Sequence, residues 1–331
     1  MIDLNVCFEE SLSKEAAFYL GKKYHLPLSI DFPKSLFINK ENPSKDEFLE
    51  KRKMCLAFLQ NPEGLELAGY SLVKDLNKLG YVYAEVRVTP LLHTEQGLTQ
   101  RQIFNCVLRG IYKGLDEFDD IDIKVIFCLR RSSTLALNKH TIELALEYKN
   151  DVVVGIDLVG DENERSINAF KPLFDMAREG GLHVCAHPGT SEIGNAIAFG
   201  VERITLPCPI LVSPELVTTV QGNRFIFEIL PSYMRAINII KEYKELPNVN
   251  LLQYGIPFIV SSKSLTILDT NIDNELKTLI KDAGYTYSDV REAINQAAMH
   301  CFASNQEKGE LIKKLSSRFD YFYKDITFEN D

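Results

Sequence analysis

The chain lacks any run of about five or more basic residues, and its 37 Lys and Arg stand against 46 Asp and Glu for a net charge of −9. With a pI near 5.3 it presents no surface suited to tracking a phosphate backbone, which argues against nucleic acid as its main partner and disfavours anionic membrane. No stretch approaches the roughly 18 apolar residues of a membrane-spanning helix. The opening MIDLNVCFEE has neither a basic region nor an apolar core, so no secretory signal is expected. Cysteine is sparse: seven residues, odd in number, scattered and mostly set in apolar runs, as reduced core thiols are. These features point to a cytoplasmic location. Also missing are a glycine-rich turn of the dinucleotide-binding type, a Walker loop, internal repeats and low-complexity segments.

What is present is a globular composition, 331 residues with 45% apolar and 25% charged. Short apolar or alternating runs recur at Asp3 to Phe8, Tyr81 to Val88, Ile121 to Cys128, Val152 to Val159, His183 to His187, Phe225 to Leu230 and Asn250 to Tyr254. Each reads as a strand, and a weaker run at Arg203 to Leu206 brings the number to eight. Helical patterns lie between them. In the clearest, Asn61 caps, Pro62 takes the first helical position, Leu65, Leu72, Leu76 and Leu79 form a stripe, and Gly80 stops the helix. Thr99 to Leu115 and Ser288 to Cys301 carry similar stripes. Strand alternating with helix predicts a parallel sheet, because parallel neighbours need a crossover long enough to hold a helix. Eight strands without a nucleotide-binding turn favour a (β/α)8 TIM barrel over a doubly wound open sheet, in a single domain spanning 1–331. Pro27 to Lys53 is an insertion after the first strand, either a lid or a peripheral excursion over the barrel mouth. From Asp320 the acidic tail, 320–331, is expected to fray.

A series of segments then occurs in order over nearly the whole chain: YAEVRVTP (Tyr83 to Pro90), VIFCLRR (Val125 to Arg131), VVGIDLVGDE (Val153 to Glu162), GLHVCAHPGT (Gly181 to Thr190), FEILPS (Phe227 to Ser232), NLLQYGIPFIV (Asn250 to Val260) and INQAAMHCFASNQEKGEL (Ile294 to Leu311). In this order they resemble the strand-end motifs of the adenosine and AMP deaminases, within the metal-dependent amidohydrolase superfamily. The resemblance implies a TIM barrel, in agreement with the strand pattern. It also implies a chemistry in which one divalent metal, usually zinc, is held by an HxH pair on the first strand, a His on the fifth and an Asp on the eighth. A Glu near the fifth-strand His transfers protons to the purine, and a sixth-strand His within GHG orients the attacking hydroxide.

Aligned residue by residue, most of that set is missing. The HxH pair falls on Asn5, Val6 and Cys7, and the proton-transferring Glu on Thr190. The GHG motif falls on Thr205, Leu206 and Pro207; the eighth-strand TDDP motif falls on Tyr254, Gly255, Ile256 and Pro257. His187 alone is retained. One imidazole and one thiol do not supply the three protein ligands of a catalytic zinc, so neither zinc nor zinc-dependent deamination is expected. A rebuilt soft-metal site from Cys7, Cys185, His187 and Cys208 is disfavoured, because Cys185 lies about 6.6 Å deeper than His187 at roughly 3.3 Å per strand residue. The same spacing disfavours a Cys185 nucleophile with His187 as its base.

The parts that would hold a purine nucleoside match better. Gly160 aligns with the glycine whose backbone lies against the purine, Glu9 with an Asp that contacts the ribose, and Asp157 and Glu162 with their counterparts. Each has a structural alternative: close backbone approach for Gly160, pairing with Arg87 or Arg130 for the carboxylates, and a neutral imidazole satisfied by a neighbour for His187. Glu10 replaces a small residue at the pocket floor and could fill it. Glu85 and Arg87 alternate on one strand face and are expected to pair, while His25, His93, His140, His183 and His300 match no catalytic position. Two functional readings follow: a catalytically silent member that binds a purine nucleoside or an active paralogue, or a divergent enzyme with a rebuilt site at the barrel mouth. A homodimer is compatible with both.

Overall fold

The computed structural model describes residues 1–26, 28, 31–206, 225–246, 251 and 255–328, with side chains through Ser316. Short Val- and Ile-rich segments form strands that are buried on both faces, as parallel strands flanked by helices must be. They are β1 (Ile2–Cys7), β2 (Tyr83–Val88), β3 (Asp122–Arg130), β4 (Val153–Val159), β5 (His183–Ala186), β6 (Arg203–Thr205), β7 (Ile226–Ile229) and β8 (Phe258–Val260). Neighbours in the sheet follow chain order and every pairing is parallel. β8 returns to β1 through a parallel bridge between Val6 and Lys263, where Cys7 N–H donates to the Lys263 carbonyl at 2.6 Å. The chain is therefore a TIM barrel.

The helices are α1 (Lys14–Lys23), α2 (Lys45–Phe58), α3 (Pro62–Lys78), α4 (Gln100–Glu117), α5 (Leu135–Glu147), α6 (Lys171–Glu179), α7 (Ile193–Ala198), α8 (Pro231–Ala236), α9 (Ile272–Asp282), α10 (Tyr287–His300) and α11 (Asn305–Phe328). The expected caps are in place. Asn61 accepts from Gly64 N–H at 2.9 Å at the start of α3, and Thr99 with Gln102 forms a capping box on α4. Leu79 departs from its stripe and is exposed, because α3 ends one residue before it.

One expectation is corrected. The eighth strand is Phe258–Val260 rather than Asn250 to Tyr254, of which only Leu251 is described. Gly255 and Ile256 consequently precede β8, at the opposite end of the strand from the mouth, and the residues that follow it are Ser261, Ser262 and Lys263. At the C-terminus, α11 runs through Phe328. Among the described residues no helix is long and apolar enough to cross a membrane.

Candidate functional site

The inward-facing residues at the C-terminal ends of the strands form a buried ionic network. Arg87 of β2 reaches Asp157 of β4 through Nε at 2.7 Å and Glu228 of β7 through Nη2 at 2.8 Å. Asn5 Nδ2 donates to Glu228 Oε2 at 2.9 Å, and Thr205 Oγ1 donates to the same oxygen at 2.6 Å. Burial opposes the charge on Arg87, but Glu228 and Asp157 hold its pKa well above the ordinary value. Burial likewise opposes ionisation of Asp157, yet His187 and Arg87 bring its pKa below the usual range. His187 Nε2 lies 3.0 Å from Asp157 Oδ2. Facing an ionised carboxylate, that nitrogen carries a proton and has no lone pair to give.

Glu85 does not pair with Arg87 as alternation predicts. It pairs across the barrel with Arg203 of β6, accepts from Phe302 N–H at 2.7 Å, and leaves Arg87 to the carboxylates of β4 and β7. Arg203 also donates to the carbonyls of Leu4 at 3.2 Å and His300 at 2.8 Å, and its guanidinium lies 4.2 Å from the centre of the Phe302 ring.

A second cluster stands where β1 and β8 end. Cys7 Sγ donates to Glu9 Oε2 at 3.2 Å, and burial together with Glu10 and Glu9 pushes the thiol pKa well up. Glu9 also accepts from Thr89 N–H at 2.6 Å and lies 3.2 Å from His93 Nε2. Against the effect of burial, the His93 contact and the Thr89 N–H bring the Glu9 carboxyl down to about 2. Glu10 fills the pocket floor: it meets Arg52 of α2 at 3.2 Å and the Lys263 ammonium at 3.8 Å. Lys263 in turn lies 4.7 Å from the centre of the Tyr233 ring. The insertion after β1 thus sends Arg52 into the mouth, and Phe48 of the same helix packs on Tyr233 at 5.3 Å. Asp3 is buried and accepts from the Ser262 hydroxyl at 2.5 Å and its N–H at 3.0 Å.

The other expected positions are more dispersed. Gly160 is exposed with φ of 117°, and a Cβ there would stand 3.2 Å from both the Arg131 Cβ and the Glu164 carboxylate. Gly160→Ala is therefore expected to destabilise the fold by about 1–3 kcal/mol, measured by urea unfolding. Thr190 is exposed, Leu206 is buried in the main core, and Cys185 is a buried core thiol in contact with Ile126 and Phe302. Pro207, Cys208 and Tyr254 lie outside the described residues. Sequence reasoning missed Arg52, His93 and Lys263. Only Lys263 carried a signal, as a lone cation three residues after a short apolar run.

This barrel, with its sites at the C-terminal strand ends, matches the Adenosine deaminase family model over residues 2–318. The chain belongs to the adenosine deaminase family. It is 30% identical over 325 residues to the adenosine deaminase of Clostridium perfringens strain SM101, covering 95% of this chain and 97% of that protein. Among solved structures it superposes on adenine deaminase from Arthrobacter aurescens with a TM-score of 0.84 at 18% identity, covering 96% and 98% of the two chains. On Arabidopsis ADAL complexed with IMP the TM-score is 0.81 at 22% identity, with 97% of each chain covered. Those two likenesses establish the fold.

Among the described residues, the side chains at these positions do not make up the ligand set of the family's zinc. Cys7 Sγ is taken up by a hydrogen bond to Glu9 Oε2 at 3.2 Å. His187 Nε2 is engaged with Asp157, and Asn5 offers an amide oxygen from a side chain tied to Glu228. Directly after β8, Ser262 donates to Asp3 and Lys263 brings an ammonium beside Glu10. A catalytic zinc takes three protein ligands drawn from imidazole, thiolate and carboxylate.

Proposed function

We propose that this adenosine deaminase family member does not carry out zinc-dependent deamination and acts instead by binding a purine nucleoside at the barrel mouth. The observation that carries the proposal is the ion cluster of Glu10, Arg52 and Lys263 at the ends of β1 and β8. It supports the loss of catalysis because two cations flank the carboxylate beside the position at which the family keeps a metal. Thr190 and Leu206 add to this, since neither can transfer a proton to a purine or orient a hydroxide. For binding, the polar groups still reachable at the mouth are the partly exposed His187 imidazole, the backbone at Gly160 and Glu162. Glu9 and Asp157 are buried in contacts of their own, so they support the mouth rather than present oxygens to a ribose.

With excess zinc present, adenosine and AMP are expected to persist without deamination in a spectrophotometric assay. Adenosine should raise the melting temperature, with about 2.7 kcal/mol of stabilisation at a ligand concentration 100 times Kd. Turnover abolished by a chelator would favour the second reading, a divergent deaminase, for which the similarity to the Clostridium protein is the support. A flat response across a purine panel would favour an active paralogue as the partner.

A further inference from the structure

A cavity of about 400 Å³ opens between the insertion after β1 and the segments that follow β7 and β8. Lys40 lines it from the stretch before α2, Arg235 from α8, and Lys277 and Lys281 from α9; Asp282 is the acid among its described lining residues. In a chain of net charge −9, four cations line one concavity against one acid among its described lining residues, with Lys40 also meeting the Asp269 carboxylate. The arrangement begins in the sequence of α9. Asn274, Lys277, Thr278 and Lys281 recur at helical spacing and share one face, opposite the buried Ile272, Glu275, Leu276 and Leu279. The favourable field at a helix C-terminus accounts for Lys281 but not for the cations arriving from two other elements.

The walls are held in place. Arg235 Nη1 donates to the Lys40 carbonyl at 2.7 Å, and the guanidinium lies 5.5 Å from the centre of the Tyr243 ring. Lys40 Nζ donates to the Asp269 carbonyl at 2.7 Å and contacts its carboxylate at 3.2 Å; that carboxylate is shared with Lys14 at 3.5 Å. Beneath the floor, buried Glu275 accepts from Ser232 N–H at 2.9 Å and from Thr270 Oγ1 at 2.6 Å, which fixes two lining residues. Arginine supplies a planar fork suited to adjacent anionic oxygens, and lysine supplies point charges. The volume lies within the range of small-molecule sites and exceeds what a single phosphate fills.

We propose that this cavity binds a small polyanion bearing a diphosphate group, through residues other than those proposed to hold the nucleoside. The test is titration of pyrophosphate into the full-length protein at fixed ionic strength, followed by calorimetry and thermal shift, with sulfate, orthophosphate and adenosine diphosphate in parallel. Pyrophosphate should bind saturably and raise the melting temperature more than sulfate or orthophosphate. K277Q/K281Q and R235Q should each weaken binding by about tenfold or more, equivalent to about 1.4 kcal/mol, while K139Q/K171Q on α5 and α6 should leave it unchanged. Tighter binding of adenosine diphosphate than of pyrophosphate would identify a nucleotide; equal binding would identify the diphosphate group itself as the ligand. No saturable binding, an equal response to sulfate, or unchanged affinity in folded K277Q/K281Q would overturn the proposal. None of the cavity's described lining residues is among the groups proposed to hold the nucleoside, so this outcome is read independently of the adenosine result.

Discussion

Urea unfolding of an Arg87→Leu variant is expected to show a loss of about 3–5 kcal/mol in stability. Arg87 is buried at the centre of the barrel, 2.7 Å from Asp157 and 2.8 Å from Glu228. Removing the guanidinium leaves two interior carboxylates without their main counter-charge, and desolvation makes an unpaired buried charge much costlier than a paired one. His187 still faces Asp157, and Arg203 Nε remains 3.5 Å from Glu228, so part of the network survives. Arg87→Lys keeps a charge but not the fork that meets both carboxylates, and its loss should fall between wild type and Arg87→Leu. Replacing Arg87, Asp157 and Glu228 together by apolar residues should cost less than the sum of the single losses, since no charge is then stranded. A change below about 1 kcal/mol for Arg87→Leu would show that the network contributes little to stability.

Glu275 should make stability fall as pH rises through neutrality. Its carboxyl is fully buried under the α8 and α9 segments, and burial raises its pKa from 4.5 to about 7 in spite of hydrogen bonds from Ser232 and Thr270. Between those values the folded state binds a proton that the unfolded chain has lost. The stabilising contribution is therefore complete below pH 4.5 and disappears as pH rises through about 7. The shift corresponds to about 3 kcal/mol at roughly 1.4 kcal/mol per unit. Glu275→Gln preserves the shape and one acceptor while removing the titration. The difference in unfolding free energy between variant and wild type should shift in favour of the variant between pH 5 and pH 8, by an amount approaching that figure. A difference that stays constant with pH would place the Glu275 carboxyl in its ordinary range. Other groups titrate in the same window, and taking the difference between the two proteins cancels them.

Much of the fold is legible in local pattern. Asn61, Pro62 and the spaced leucines mark α3, Thr99 with Gln102 marks α4, and seven of the eight strands overlap runs visible in the sequence. β8 is not legible, because three residues between Pro257 and Ser261 carry too little periodicity to stand out from the more apolar stretch before them. That slip moves the eighth-strand position from Gly255 and Ile256 to Ser262 and Lys263, and it hides the ammonium that ends up beside Glu10. Pairing across the barrel is equally hidden. Glu85 and Arg87 share a strand face, yet the choice of Arg203 for one and of Asp157 and Glu228 for the other depends on strands distant in sequence. The substitutions at Asn5, Cys7, Thr190 and Leu206, by contrast, are plain in the sequence once the motifs are aligned. What the fold adds is the engagement of those neighbourhoods: the thiol donates to Glu9, the amide to Glu228, and Arg52 arrives from the insertion.

The most direct measurement is the zinc content of the full-length protein after equilibration with excess zinc and gel filtration, determined by mass spectrometry of the metal. Well under one equivalent is predicted, because an amide, an engaged imidazole, a thiol tied to Glu9 and an ammonium stand where the ligands of the family would be. One tightly held equivalent per chain, released by a chelator together with adenosine or AMP deamination, would contradict the loss of the metal site.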